Sequence, residues 1–202
     1  MSLTAFSQSD YNKAEGFIGF SHGQVDGSTF QFTRLTEEIG QTGPHRFNGF
    51  NAAGVYNFGR YVGIRGDLSA TFNSGAFNRT INTTTQITGE ADNSLYNGLV
   101  GVQFKDNSND RRVKPFGYLM GGVARAITEV NSTCTGTCTP TVLGFGPATR
   151  RENGFAGAFG GGIDIKLNDR FDLRAGQIDY NPVNLDQGML HNVRIGVGIV
   201  IK

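Results

Sequence analysis

The stretch Val62–Phe72, which reads VGIRGDLSATF, decides the fold class of this chain. Its even-numbered residues are apolar or glycine, whereas the residues between them are polar, charged or glycine. A period of two is typical of a β-strand with one apolar and one polar face. The stretch is about as long as a tilted strand must be to cross a lipid bilayer. Similar runs elsewhere in the chain therefore predict a membrane-spanning β-barrel.

Length and composition agree with a single barrel domain. The 202 residues include 30 glycines and carry a formal net charge of +1, so the sequence has no basic footprint for nucleic acid. No run of about 18 apolar residues is present, so the sequence predicts no transmembrane helix, and barrel strands need no such run. The first residues, Met1–Phe6, lack the basic and apolar regions of a signal peptide. We therefore expect a mature chain from which an export signal has been removed.

Eight strands are predicted, separated alternately by long and short connections. An N-terminal segment, 1–12, precedes a single barrel domain, 13–202. Long polar connections at about 26–44, 73–93, 129–152 and 181–190 alternate with short turns, as in outer-membrane barrels. An even strand number places both termini at the short-turn, periplasmic end. The prediction is an all-β, eight-stranded antiparallel up-and-down transmembrane β-barrel, with strands at about 13–25, 45–56, 62–72, 94–105, 113–128, 153–167, 171–180 and 193–201.

Charged and polar residues occupy the strand positions that would face the barrel interior. Both signs of charge are present, which indicates an ion-pair network, because an unpaired buried charge is very unfavourable. Such a network either fills and stiffens the lumen or acts as a gate on a narrow polar path. Glycines at the same phase would make room for it: Gly19, Gly63, Gly101, Gly117, Gly121, Gly160, Gly162, Gly196 and Gly198. The predicted network comprises Glu15, Arg65, Asp67, Gln103, Arg125, Asp164, Arg174 and Arg194.

Alternation alone does not separate a membrane barrel from a soluble one, whose apolar face points inward. The charged fraction of 17% is low for a soluble surface, and the Trp that lipocalins usually carry in their first strand is absent. In strand 5 this interpretation places Phe116, Tyr118 and Met120 on the lipid face. Aromatic residues near the predicted strand ends would form the two girdles of a membrane barrel. They are Phe58, Tyr61, Phe104, Phe116 and Phe171 at the turns, and Phe47, Phe50, Phe72, Tyr96, Phe155 and Tyr180 toward the loops.

Two cysteines, Cys134 and Cys138, lie four residues apart in a polar loop. A zinc site would need further ligands, and the sequence offers no second Cys or His pair nearby. We expect a small loop disulfide, which implies an oxidising compartment, with two free thiols as the alternative.

Four segments resemble the OmpA-like outer-membrane β-barrel family. They are 50–58, 114–122, 160–174 and the final strand 193–201, whose sequence is similar to the terminal strand read by the barrel-insertion machinery. The resemblance spans about 13–202 and implies a monomer in the bacterial outer membrane, in contact with membrane lipid and lipopolysaccharide. Two departures are an ending in Ile201-Lys202 instead of an aromatic residue, and no peptidoglycan-binding domain after the barrel. Small barrel-only members serve as structural proteins, adhesins, surface antigens or narrow pores.

Residues suited to catalysis or metal binding form no specific pattern. His22, His45 and His191 would lie at the loop rim, but in different phases, so we predict no metal site. Asp179 and Asp186 near His191 have no specific spacing, so we predict no enzyme and no cofactor. Polar loops on a rigid scaffold often bind partners, and the alternative here is that they only shield the barrel mouth. The expected function is a structural or surface-interaction role, adhesin-like or antigen-like, with an extracellular partner at the loops; the alternative is a small passive pore.

Overall fold

The computed structural model describes residues 11–25, 45–82, 84–108, 111–136, 146–186 and 188–202. The described chain is almost entirely β-structure. No helix long and apolar enough to span a membrane occurs in these ranges. The strands are β1 Ala14–Val25, β2 His45–Asn57, β3 Val62–Asn82, β4 Thr85–Lys105, β5 Val113–Thr135, β6 Ala148–Lys166, β7 Phe171–Tyr180, β8 Val183–Leu185, β9 Gly188–Leu190 and β10 Asn192–Ile201.

Eight of these strands close into a barrel. The hydrogen-bonded order is β5-β4-β3-β2-β1-β10-β7-β6, and an additional β5–β6 pairing closes the ring. Every pairing is antiparallel, and β8 and β9 form a short hairpin whose first strand pairs with β6. Closure satisfies the backbone groups that an open sheet would leave at its edges, which is essential in lipid. The predicted eight-stranded antiparallel barrel is confirmed.

The alternation in the sequence separates the inside of the barrel from the outside. Along β3, Arg65 is 0% exposed, whereas Leu68 on the other face is 68% exposed. The same contrast recurs in β1, where Glu15 is buried and Ile18 is exposed. Apolar side chains therefore form the outer, lipid-facing surface, and charged side chains fill the lumen, as the sequence pattern predicts.

Four strands are longer than the sequence analysis predicts. The segment 73–93, expected to be a loop, continues β3 and β4 as a paired hairpin with Ser74 opposite Asp92 and Thr80 opposite Gln86. The expected loop 129–152 likewise begins and ends in β-structure, because β5 runs to Thr135 and β6 starts at Ala148. Frequent threonine, which favours strands, accounts for the extension. We call the projecting sheet formed by 73–82, 85–93, 129–135 and 148–153 the wall.

The remaining two predicted loops have different outcomes. The segment 26–44 lies outside the described residues. The segment 181–190, expected to be a loop, contains the β8–β9 hairpin, in which Val183 pairs with Leu190 and Leu185 with Gly188. The backbone φ of +122° at Gly146 and of +136° at Gly188 lies in a region that glycine adopts readily, and Gly188 closes this hairpin.

Strand β5 shows the opposite face to the one predicted. Phe116, Tyr118 and Met120 are buried in the lumen, whereas Leu119 and Val123 are exposed on the outside. Both phases of this strand contain apolar residues and one cation, so the sequence does not rank them. As a consequence, three residues predicted to face inward lie on the outer phase of the strand: Gly117, Gly121 and Arg125.

Two bands of exposed aromatic side chains surround the barrel. Phe72 and Tyr96 meet edge to face in the band toward the wall, with ring centroids 6.0 Å apart. Two aromatic residues predicted for these bands, Phe47 and Phe116, are instead buried inside, and Tyr180 is half-buried. The exposed members are Phe58, Tyr61, Phe104 and Phe171 at the turn end, and Phe50, Phe72, Tyr96 and Phe155 toward the wall.

Candidate functional site

The lumen near the turn end is built around the carboxylate of Asp164 on β6. Arg174 of β7 donates two hydrogen bonds to it, from Nε at 2.8 Å and from Nη2 at 3.1 Å. The ammonium group of Lys105 on β4 lies 2.9 Å from the same carboxylate and 2.7 Å from Oε2 of Glu15 on β1. All four side chains are buried. Ion pairs therefore join four strands across the barrel.

Aromatic rings hold the guanidinium of Arg174 from two sides. Its Cζ lies 4.2 Å from the ring centre of Phe17 and 4.0 Å from that of Phe116. Such cation–π contacts strengthen when the groups are shielded from water. Gly162 is required here, because a Cβ at that position would lie 2.1 Å from the carbonyl oxygen of Gly176 and 2.9 Å from the ring of Phe116.

A second cluster surrounds Asp179 on β7. Its carboxylate accepts hydrogen bonds from Nε of Arg194 at 2.7 Å, from the Tyr118 hydroxyl at 2.8 Å and from Nε2 of Gln177 at 3.0 Å. Nη1 of Arg194 also donates to the hydroxyl of Ser69 on β3 at 2.7 Å. This cluster therefore spans the lumen from β7 and β10 to β3.

Arg65 on β3 extends this second cluster. Its guanidinium donates to Asp67 at 2.9 Å and to Oε1 of Gln103 at 3.0 Å. The same group lies over the ring of Tyr118, 4.5 Å from its centre. The inward position of Tyr118 thus gives it contacts with one cation, Arg65, one carboxylate, Asp179, and the amide of Gln177, and these contacts favour the observed orientation of β5.

The turn end of the lumen contains a third ion-paired cluster, around Asp172, and is crossed by the N-terminal segment. Asp172 lies 3.5 Å from the ammonium group of Lys114 and 2.7 Å from that of Lys202. Tyr11 forms a β-bridge with Ser108, which follows β4. In the sheet, β2 and β3 lie between β1 and β4. A bridge from Tyr11 to the end of β4 therefore requires residues 11–13 to cross the end of the barrel. Polar side chains buried beside this crossing are Asn57, Asn107 and Ser108.

Ion pairs also occur on the exposed turns, outside the membrane-spanning strands. Arg60 donates two hydrogen bonds to Asp106, and Arg111 lies 3.0 Å from the same carboxylate. The hydrogen bond from Arg60 holds the pKa of Asp106 well below its ordinary value. Lys166 lowers the pKa of Asp169 in the same way. The charged contacts that fix these turns therefore weaken only at acidic pH, where Asp106 and Asp169 become protonated.

The sequence matches the model of one protein family over nearly its whole length. The family model described as the outer membrane protein β-barrel domain matches residues 1–200. The chain belongs to this family. It is therefore an integral outer-membrane β-barrel, and membrane lipid surrounds its apolar face.

Solved structures of small outer-membrane proteins are similar in fold. Ail, the attachment invasion locus protein of Yersinia pestis, is 17% identical with a TM-score of 0.53, covering 93% of this chain and 97% of that one. A structure of Ail in complex with the heparin analogue sucrose octasulfate, also 17% identical, has a TM-score of 0.54 and covers 94% and 99%. Neisserial surface protein A is 12% identical with a TM-score of 0.49, covering 95% and 97%. No curated protein sequence matches.

The barrel places seven of the eight predicted network residues in its lumen. Arg125 is the exception, because it is exposed on the outer face of β5, opposite Tyr96 on β4. The seven divide into the two clusters described above. They are Glu15, Asp164 and Arg174 in the first, and Arg65, Asp67, Gln103 and Arg194 in the second.

Several lumen residues of the barrel were not predicted from the sequence. A β-bulge lies at Gly176, where the partners of β7 shift register. It changes the phase of the strand, so that Arg174 and Gln177 both face inward. A glycine within a strand pattern is a known indicator of a bulge and was the available signal. Among the polar residues of the lumen that were not predicted are Lys105, Lys114, Tyr118, Asp172, Gln177 and Asp179.

The two histidines whose side chains the structure describes contact different residues. His22 forms a hydrogen bond of 2.7 Å with the side-chain oxygen of Asn48, and His191 bonds the Tyr180 hydroxyl. Asp179 is held by Arg194 inside the lumen rather than by His191. The side chain of His45 lies outside the described residues. No group of three or more His, Cys, Asp or Glu side chains in the described part of the chain is arranged to hold a metal ion.

Cys134 lies in the part of β5 that belongs to the wall. It packs against a buried apolar cluster of Phe77, Ile87 and Ala91. Cys138 lies outside the described residues, so the disulfide between Cys134 and Cys138 stays a prediction.

Proposed function

We propose that the protein is a surface-interaction protein whose barrel anchors the wall outside the outer membrane. The carrying observation is that β3 continues for ten residues, 73–82, beyond the exposed aromatic residue Phe72. Ten strand residues span about 33 Å, far more than a hairpin needs to turn around at the membrane surface. Short connections at the other end support an orientation with the wall extracellular and both termini periplasmic.

The outer face of the wall has the character of a binding surface exposed to water. Nε2 of Gln86 donates to Asn78 at 2.8 Å, and the hydroxyls of Thr88 and Thr133 lie 3.3 Å apart. Such cross-strand bonds stiffen the hairpin and fix the positions of its polar groups. Three exposed carboxylates share this face, so it suits a neutral or basic partner: Glu90, Asp92 and Glu129.

The barrel is a rigid base for the wall. Its ion-pair clusters join opposite strands, and breaking a buried pair is strongly destabilising. At the base of the wall, the exposed cations Arg125 and Arg151 lie on neighbouring strands, close to Phe155 and Tyr96. We infer that these cations contact phosphate groups of membrane lipid or lipopolysaccharide. In this proposal, β10 is the strand that the barrel-insertion machinery binds. The proposed role of the protein is not catalytic.

The test removes the wall hairpin and keeps the barrel. Replacing 75–91 by Asn-Gly joins Ser74 to Asp92, which are cross-strand partners in the native hairpin. We expect cells displaying the variant to lose adhesion to wells coated with basement-membrane extract, while its heat-dependent gel migration stays that of a folded barrel. Immobilised heparin serves as a second probe, because Ail was solved with a heparin analogue. The carboxylates predict weak heparin binding, and unchanged adhesion of the shortened variant would refute the proposal.

A passive pore is the second candidate, and the charged lumen favours it. Planar-bilayer recordings of the purified protein test this candidate. Reproducible conductance steps that change with Arg65→Ala would support a pore, because Arg65 lies inside the lumen. A silent protein that still mediates adhesion supports the first proposal instead.

A further inference from the structure

The lumen contains an apolar layer near the base of the wall. Phe47, Leu95, Val183 and Leu190 belong to one buried cluster, although they come from β2, β4, β8 and β9. Val183 is 0% exposed. Because these strands lie around the barrel, their side chains converge on its axis at this level. The same cluster continues along β4, β5 and β6 through Leu99, Phe116, Tyr118, Met120, Ala126 and Ala158. We call its part nearest the β8–β9 hairpin the collar, defined by Phe47, Leu95, Ala124, Ala156, Val183, Leu185 and Leu190.

The β8–β9 hairpin supplies three members of the collar on a segment with few attachments. On one side, β8 pairs with β6 only at Asn184–Phe155 and Val183–Ala156. On the other side, the described pairing of β10 with β1 includes Asn192 and no earlier residue, so β9, which ends at Leu190, has no part in it. Apart from these two pairs and the hydrogen bonds at its base, the hairpin is held by the burial of its apolar side chains.

Two buried asparagines mark the joint between this hairpin and the barrel. The backbone N–H of Asn181 donates to the carbonyl of Asn192 at 2.7 Å, and its side chain donates to the carbonyl of Gly157 at 2.6 Å. Pro182 follows directly and has no N–H of its own. The N–H of Gly157 on β6 donates to the carbonyl of Pro182 at 2.9 Å, so residues 181 and 182 form a bonded base from which the hairpin extends.

Other parts of the lumen contain buried polar atoms that are incompletely satisfied. Among the described residues, no hydrogen-bond partner is present for Nη2 of Arg194, Oδ1 of Asp67 or Oδ1 of Asn51. Buried groups of this kind require water, and a few bound waters would let them rearrange. The collar offers water and ions no such partner, and apolar constrictions block them by excluding water.

We propose that the β8–β9 hairpin is a hydrophobic lid on the lumen, and that the collar, rather than the ion pairs, sets the barrier to ions. Lifting the hairpin removes Val183, Leu185 and Leu190 from the axis and exposes the polar lumen that ends at Arg194. The lid is independent of any partner of the wall. The proposal predicts a barrel that stays closed when ion pairs are altered and opens when the collar is made polar.

The first test compares polar substitutions on the two faces of the same hairpin. Leu185→Asn and Leu190→Asn place amides in the collar, whereas Met189→Asn changes a side chain that is 46% exposed. In planar bilayers we expect the collar variants to raise conductance on the order of tenfold over wild type, because water enters the constriction. Met189→Asn and Arg65→Gln should stay near wild type. Conductance raised by Arg65→Gln but not by the collar variants would overturn the proposal.

A second measurement does not depend on ion currents. Cys134→Ala and Cys138→Ala remove both native cysteines, and Asn51→Cys adds one thiol in the lumen. We expect this thiol to react slowly with a charged methanethiosulfonate reagent in folded barrels, and on the order of tenfold faster when Leu185→Ala loosens the collar. Heat-dependent gel migration verifies that each variant is folded. Rapid labelling with the collar intact would show that the hairpin does not close the lumen.

Discussion

In both halves of the β3–β4 hairpin, successive side chains alternate between the two faces of the sheet. The apolar side chains face outward in the barrel half and inward in the wall half. In the barrel, the inward residues include Arg65 and Asp67, and the outward residues include Leu68. In the wall, the inward residues are Phe77 and Ile87, and the outward residues are polar. The strands, their pairing and their phase continue unchanged through this transition.

The comparison shows that the surroundings, not the sheet, decide which face is apolar. Where lipid covers the outside, the apolar side chains face outward and the polar ones must satisfy each other in the lumen. Where water covers the outside, the arrangement becomes that of an ordinary soluble sheet. The change occurs at the row of Phe72 and Tyr96, whose exposed rings mark the boundary of the hydrocarbon.

The largest expected effect comes from breaking the lumen network of the barrel half. Asp164→Asn leaves Lys105 and Arg174 without their shared carboxylate, which should lower the free energy of unfolding by about 3–5 kcal/mol. Urea unfolding of the protein in lipid vesicles measures this loss in the free energy of unfolding. Asp169→Asn, a carboxylate on an exposed turn, is the matched control and should be nearly neutral. Equal effects of the two substitutions would mean that the lumen is hydrated like a surface.

The second effect concerns the outer faces of the two halves. Leu68→Lys places a cation on the lipid face and should destabilise the barrel by about 2–4 kcal/mol. Asn131→Lys makes the corresponding change on the outer face of the wall, where water solvates the charge, and should alter stability by less than about 0.5 kcal/mol. A large effect of Asn131→Lys in vesicle unfolding experiments would place the wall inside the membrane.

A smaller effect is expected from the apolar side of the wall. Ile87→Ala should destabilise the wall by about 2 kcal/mol, at the low end for a buried isoleucine because its cluster has few members. The loss should be local, with faster amide exchange in 73–93 and unchanged exchange in β1 and β10. Uniformly faster exchange would indicate that wall and barrel unfold as one unit.

The smallest effect is a pH dependence at the turns. The folded pKa of Asp106 is lowered, so its stabilising contribution is complete above about pH 4, where the unfolded carboxyl is ionised, and declines as the pH falls further. Because its partners Arg60 and Arg111 are largely exposed, Asp106→Asn should cost less than about 1 kcal/mol at pH 7. The difference from wild type should narrow at pH 3, and a difference that widens there contradicts the assignment.

The sequence predicts most of the barrel but less of its interior. The period of two in 62–72 predicts the strand, its faces and the inward position of Arg65. It does not orient β5, because Phe116 and Leu119 are equally apolar in opposite phases. The bulge at Gly176 similarly hides Asp179, since counting every second residue from Arg174 reaches the wrong face. Orientation of these residues depends on partners from distant strands.

By itself, the sequence determined the class of fold, the number of barrel strands and, in every barrel strand except β5, the phase of the lipid-facing residues. Those properties depend on local alternation, which the backbone geometry of a strand converts directly into two faces. Only the tertiary structure decided where strands end, which aromatic rings turn inward to hold Arg65 and Arg174, and how β8–β9 adds Val183, Leu185 and Leu190 to the apolar cluster of the lumen. These features arise from contacts between residues far apart in sequence, and no local pattern encodes such contacts.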